Sequence, residues 1–186
     1  MSKVIDSKQS LWPTLIFGRY LLEINSLDDL EDLIKVNTLA LSSMPKEEQT
    51  IGLRGSLTSH RGQLNLRIGK AEEGVKWLKE SYEIRSHDIT SKVVELAWAA
   101  DNLAAGLGSI NDFQEALKWC DIARNHYIEG KNQRNEGTEE LDPTLMINNA
   151  ANLFRSGQLE LARVLLNAAL KQIESEKPYD WYRASE

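Results

Sequence analysis

Residues 107–123 read LGSINDFQEALKWCDIA, and they decide the fold. Gly108, Asn111 and Asp112 supply a turn. Phe113, Ala116, Leu117, Cys120 and Ala123 then recur at intervals of three and four, the period of one helix face. Two of these positions hold alanine where a core could take leucine. A small side chain on the buried face of a helix lets a second backbone come close.

The same arrangement returns along the chain. Asn25, Gly69, Asn111 and Gly157 each follow an apolar stripe and tolerate the positive φ of a helix C′ position. They are separated by 44, 42 and 46 residues. Seven residues before each lies a small residue: Gly18, Gly62, Ala104 or Ala150. Five residues after lies Leu30, Gly74, Ala116 or Ala162, and twelve after lies Asn37, Ser81, Ala123 or Ala169. Two helices crossing closely at each turn would require this pattern. One such pair cannot bury both of its faces, so the units stack.

The rest of the chain agrees with an all-α reading. The four prolines, Pro13, Pro45, Pro143 and Pro178, fall near segment edges. No stretch alternates apolar and polar residues with β-branched enrichment. Asp142-Pro143 reads as an N-cap followed by proline at the first helical position. The polar stretches SSMPKEEQT (42–50) and GKNQRNEGTEELD (130–142) read as loops.

Composition narrows the function classes. The 186 residues suit one domain or a short repeat array. The net charge of −6 argues against a nucleic-acid surface, which needs a concentrated basic face. No apolar run has the length of a membrane span, and the polar start MSKVIDSKQS has no signal-peptide core. The single cysteine, Cys120, leaves no internal disulfide and fits a reducing compartment, so the expected location is cytoplasmic. No phosphate-binding glycine-rich motif is present and no cofactor is expected.

The spacing and the small residues resemble the tetratricopeptide repeat (TPR). Leu27, Ala71, Phe113 and Leu159 occupy the position after the turn where that family has an aromatic residue or leucine. The approximate repeats are 11–44, 55–88, 97–130 and 143–176, with 177–186 as a tail or cap. The pattern is strongest in the third and fourth and weakest in the first, where Leu30 and Asn37 replace small residues. A period of 42–46, with the stretch LDPTLMINNAANLF, is similar to the kinesin-light-chain-like branch. The resemblance implies a right-handed superhelical array of antiparallel helix hairpins, a TPR-like α-solenoid, whose first helices line a concave face.

In that family the groove binds peptides or partner helices. Carried over, its groove positions fall on Trp12, Leu15, Ile16 and Arg19; on Ser56, Ser59, His60, Gln63 and Arg67; on Trp98, Asp101, Asn102 and Ala105; and on Thr144, Ile147, Asn148, Ala151, Phe154 and Arg155. The candidate site is Arg19, His60, Gln63, Trp98, Asp101, Asn102, Asn148 and Phe154. Members that hold the acidic tails of chaperones have lysine and asparagine in a first repeat, asparagine in a second, and lysine and arginine in a third. This chain has Ser59, Gln63, Asn102, Thr144 and Asn148 there; only Asn102 matches and the positive charge is missing, so that mode is not expected. Asparagine and glutamine can grip a peptide backbone with a donor and an acceptor together, and tryptophan and phenylalanine can anchor side chains. Trp98 and the two asparagines also admit a plain packing role.

Two other readings stand beside peptide binding. The apolar N-terminal stretch LWPTLIFGRYLL and the aromatic tail around Tyr179, Trp181 and Tyr182 suit self-association, or a regulatory fragment of a larger receptor-type protein. His60 and Asp101, on adjacent first helices, could instead work as an acid–base pair or hold a small molecule. Catalysis is not expected, because no motif supports the pair. Metal binding has no support either, since none of His60, His87 and His126 has a His or Cys three or four residues on. His126 is expected at a helix end. Trp77 and Trp119 are expected to pack on second helices, and Cys120 is expected to be a buried, inert thiol.

Overall fold

The positive φ values decide the architecture. The computed structural model describes residues 16–44, 50–87, 93–134 and 141–175. Within them Asn25 has φ 57°, Gly69 82°, Asn111 65° and Gly157 83°. Each of the four ends one helix and directs the chain into the next.

The described residues form α1 (16–23), α2 (Leu27–Ser43), α3 (Ile51–Arg67), α4 (Ala71–Ser86), α5 (Val93–Ser109), α6 (Phe113–Gln133), α7 (Pro143–Arg155) and α8 (Leu159–Ser175). There are no strands among them. The closest packing is within the pairs α3–α4, α5–α6 and α7–α8, and each pair then packs on its neighbour in the chain. The first helices also touch one another, α3 with α5 and α5 with α7. First helices in mutual contact form the inner wall of an α-solenoid, and the second helices lie outside.

All twelve positions of the repeated small-residue pattern are buried. The reason is clearest between α3 and α4. A Cβ on Gly62 would stand 3.0 Å from the Gly74 carbonyl oxygen, and one on Gly74 would stand 2.9 Å from the Gly62 carbonyl oxygen. The two backbones meet there, and only glycine leaves room. Ser81, two helical turns on, donates its hydroxyl to the Gly55 carbonyl at 2.8 Å. A leucine at that position could not satisfy this buried acceptor.

The same logic joins the third and fourth hairpins. Asn152 of α7 is buried and reaches the Ala104 carbonyl (3.4 Å) and the Cys120 sulfur (3.5 Å). Gly108 leaves the space that the Asn152 carbonyl oxygen occupies. Cys120 is buried, and desolvation pushes its thiol up to about 11, which keeps it protonated and inert. Trp119 meets Tyr82 edge-on at 4.8 Å, and Trp77 lies half-buried under Arg61.

Helix starts follow local chemistry. Asp142 accepts from the Thr144 amide at 2.8 Å with Pro143 at the first position of α7. Thr50 and Asp112 cap α3 and α6 in the same manner.

Two expectations are corrected. The 130–142 stretch is not wholly a loop, because α6 continues through Gln133. Its Gly130 is buried where a Cβ would come within 2.6 Å of Val94 Cγ2, so close packing on α5 carries the helix past the glycine. His126 lies inside α6 rather than at its end, and its Nε2 is 3.0 Å from the Tyr82 hydroxyl. The C-terminal end of α4 is capped by His87. Trp12, Leu15, Tyr179, Trp181 and Tyr182 fall outside the described residues, and no described helix is long and apolar enough to cross a membrane.

Candidate functional site

The inner wall encloses a cleft of about 450 Å³. Four elements supply it. From α1 come Arg19, Leu22 and Glu23; from α3 come Ser56, Ser59, His60, Gln63 and Arg67. From α5 come Glu95, Trp98, Ala99, Asp101 and Asn102, while α7 adds Thr144 and Asn148. Arg85 enters from α4.

Seven of the eight candidate residues therefore surround one cavity: Arg19, His60, Gln63, Trp98, Asp101, Asn102 and Asn148. Phe154 is the correction. It does not line the cleft and is 64% exposed. Six residues at about 100° each carry it about 240° around α7 from Asn148, onto a different face.

Charges on the walls are mostly paired. Arg19 and Glu23 are one helical turn apart and 3.4 Å from each other. Arg85 is buried and donates to Glu95 at 2.7 Å and to the Ser56 hydroxyl at 2.9 Å. Gly55 makes room for it, since a Cβ there would sit 2.9 Å from Arg85 Nε. Arg85 and Glu95 were not singled out in the sequence. A helical glycine facing an arginine 30 positions later offers no local signal.

Asp101 and His60 are the buried ionisable groups of the cleft that lack an ion-pair partner among the described residues. Asn148 donates its amide to Asp101 Oδ2 at 2.6 Å. Burial raises the Asp101 carboxyl to about 7, an effect only partly opposed by that hydrogen bond and reinforced by the charge of Asp142. The His60 ring lies over Gly18, where a Cβ would be 2.9 Å from Nδ1. Burial, with Arg85 and Arg19 adding to it, lowers His60 to about 4.

These directions are opposite to those of an ion-paired histidine and aspartate, in which the imidazole rises and the carboxyl falls. No hydrogen bond joins the two among the described residues, and each is desolvated separately. Among the described residues no group of three or more His, Cys, Asp and Glu side chains gathers as a metal site.

The two groups titrate in overlapping ranges with opposite consequences. Asp101 binds its proton more tightly folded (about 7) than unfolded (3.8), so its contribution falls as pH rises between those values. His60 binds its proton less tightly folded (about 4) than unfolded (6.5), so its contribution falls as pH drops through that range. Between pH 4 and 6.5 the two slopes oppose each other. Asp101→Asn is therefore expected to gain stability over the native chain progressively from pH 4 to 7. His60→Gln is expected to gain as pH falls from 6.5 to 4. Urea midpoints measured across this range check both, and a pH-independent difference for either variant contradicts the assignment.

Other groups in the cleft are open. The side-chain amides of Gln63 and Asn102 and the hydroxyl of Ser59 have no protein partner among the described residues. Trp98 is half-buried and meets Tyr127 edge-on at 6.5 Å, so one residue both packs its own hairpin and lines the cleft.

Comparison with known proteins yields no matching family model and no matching curated sequence. The fold is similar to the crystal structure of BtubC (BKLC) from P. vanneervenii, with a TM-score of 0.50 over 95% of this chain and 85% of that one. Identity is 15%, so the likeness is one of fold alone, an all-helical repeat arrangement.

Proposed function

We propose that this chain is a protein-interaction scaffold of the TPR type, from the kinesin-light-chain-like branch, and that its concave cleft binds a peptide or partner helix. One observation supports the reading above the others. Gln63 and Asn102, on successive first helices, present unpaired amides to a cleft that also holds Trp98. A carboxamide can pair with both the N–H and the C=O of a peptide unit, and two of them on neighbouring helices can fix a backbone in register. A volume of about 450 Å³ matches a side chain with its flanking backbone.

A Trp98→Ala/Asn102→Ala double variant tests it. The variant is expected to retain helicity and to bind a partner peptide at least tenfold more weakly. Unchanged affinity in a folded variant overturns the groove as the working surface.

One observation favours self-association as a second reading. In α8, Leu159, Leu161, Val164, Leu166, Leu170 and Ile173 are exposed on the two sides that flank the buried Ala162 and Ala169, and exposed apolar area marks an association surface. Under this reading mass by light scattering rises with concentration, and a constant monomer mass rejects it.

A further inference from the structure

Three carboxylates line the cleft: Glu23, Glu95 and Asp101. Glu23 is paired with Arg19 and Glu95 with Arg85. Asp101 is the most buried of the three, at 3% exposed, and has no basic partner among the described residues. Its one hydrogen-bond donor among them is the neutral amide of Asn148, which serves Oδ2 and leaves Oδ1 without a protein donor. A carboxyl held away from water without a cation is costly to ionise, and burial accordingly keeps its proton to about 7. The neighbouring charge of Asp142 adds to the negative potential there. Trp98 lies one turn away on the same face of α5 and lines the same wall.

We infer that Asp101 is the counterion for a cationic side chain, a lysine or arginine of the bound peptide, received beside Trp98. The inference rests on the peptide-groove reading above. An incoming ammonium or guanidinium supplies the charge partner that the walls lack, and the Asp101 proton leaves to solvent as the ion pair forms. An aromatic ring next to the carboxylate adds attraction for the same cation. The other wall cations do not compete for the place, because Arg19 and Arg85 are held by their own carboxylates and Arg67 is exposed and bonded to Asn25.

The experiment is panning of a random dodecapeptide library against the full chain, followed by anisotropy measurements on the enriched peptides. The expected result is a shared arginine or lysine. Replacing it by citrulline or norleucine should weaken binding to the native chain tenfold or more. The same replacement should change binding to Asp101→Asn less than twofold. Peptides that need Asn102 but carry no essential basic residue overturn the counterion and leave the groove standing. Enriched peptides indifferent to both Trp98→Ala and Asn102→Ala, or no enrichment at all, overturn the groove reading and the counterion with it. The comparison of arginine with citrulline on the native chain does not depend on any variant folding.

Discussion

Leu78→Ala is expected to lower stability by about 2–5 kcal/mol, toward the upper part of that range. Leu78 is 1% exposed and fills the space between two glycine-bearing helices. A Cβ on Gly62 of α3 would lie 2.6 Å from its Cγ, and one on Gly106 of α5 would lie 3.0 Å from its Cδ1. One side chain thus cements its own hairpin and the next. The void left by truncation would lie among Leu66, Val75, Leu103 and Leu107 and between helices already held in close contact at Gly62 and Gly74, which limits its collapse. Gly62→Ala is the complementary variant. Helix propensity favours alanine by about 1 kcal/mol, but overpacking against Leu78 and the Gly74 carbonyl costs about 1–3 kcal/mol, so a net loss is expected. In the Leu78→Ala background that loss should shrink or change sign, because the main obstacle is gone. Urea unfolding of the four-member cycle gives the coupling. Strict additivity contradicts the packing described.

Arg85→Ala carries the second large effect, about 2–3 kcal/mol. Its guanidinium joins three helices, with α4 bearing it, Ser56 on α3 and Glu95 on α5 accepting from it. Removing one partner of a buried pair costs about 3–5 kcal/mol. The Glu95 side chain is 39% exposed, so water takes over part of its charge and the figure is reduced. Glu95→Gln should cost less. Arg85→Lys should behave more like alanine than like arginine, since an ammonium cannot reproduce the planar fork toward two acceptors. Denaturation at low and high salt separates this pair from surface ones, which salt screens. A loss for Arg85→Ala under about 0.5 kcal/mol, the level of an ordinary surface substitution, contradicts the buried pair.

Much of the fold was legible because it depends on backbone constraints written in single residues. Asn25, Gly69, Asn111 and Gly157 announce positive φ, and the structure places positive φ at each of them. The small residues announce close helix approach, and each is buried. The cleft residues followed from the resemblance to the tetratricopeptide repeat, whose groove positions were carried over onto the first helices. Features resting on distant partners were not legible. Arg85 depends on Ser56, 29 residues upstream, and nothing near either residue signals the other. Gly130 looked like the end of a helix, yet contact with Val94 outweighs its low propensity. Phe154 was assigned by motif position, where rotation about α7 decides. His60 and Asp101 line one cavity, but proximity in a repeat says nothing of pairing, and burial sets their protonation instead.

The most direct measurement is chemical-shift mapping of the isotopically labelled full chain during titration with a peptide enriched by panning. The account predicts the largest changes at the Gln63 and Asn102 side-chain amides, the Trp98 indole and the Asn148 amide beside Asp101. Changes confined to the second helices, such as the exposed apolar residues of α8, with those groups unmoved, would contradict it.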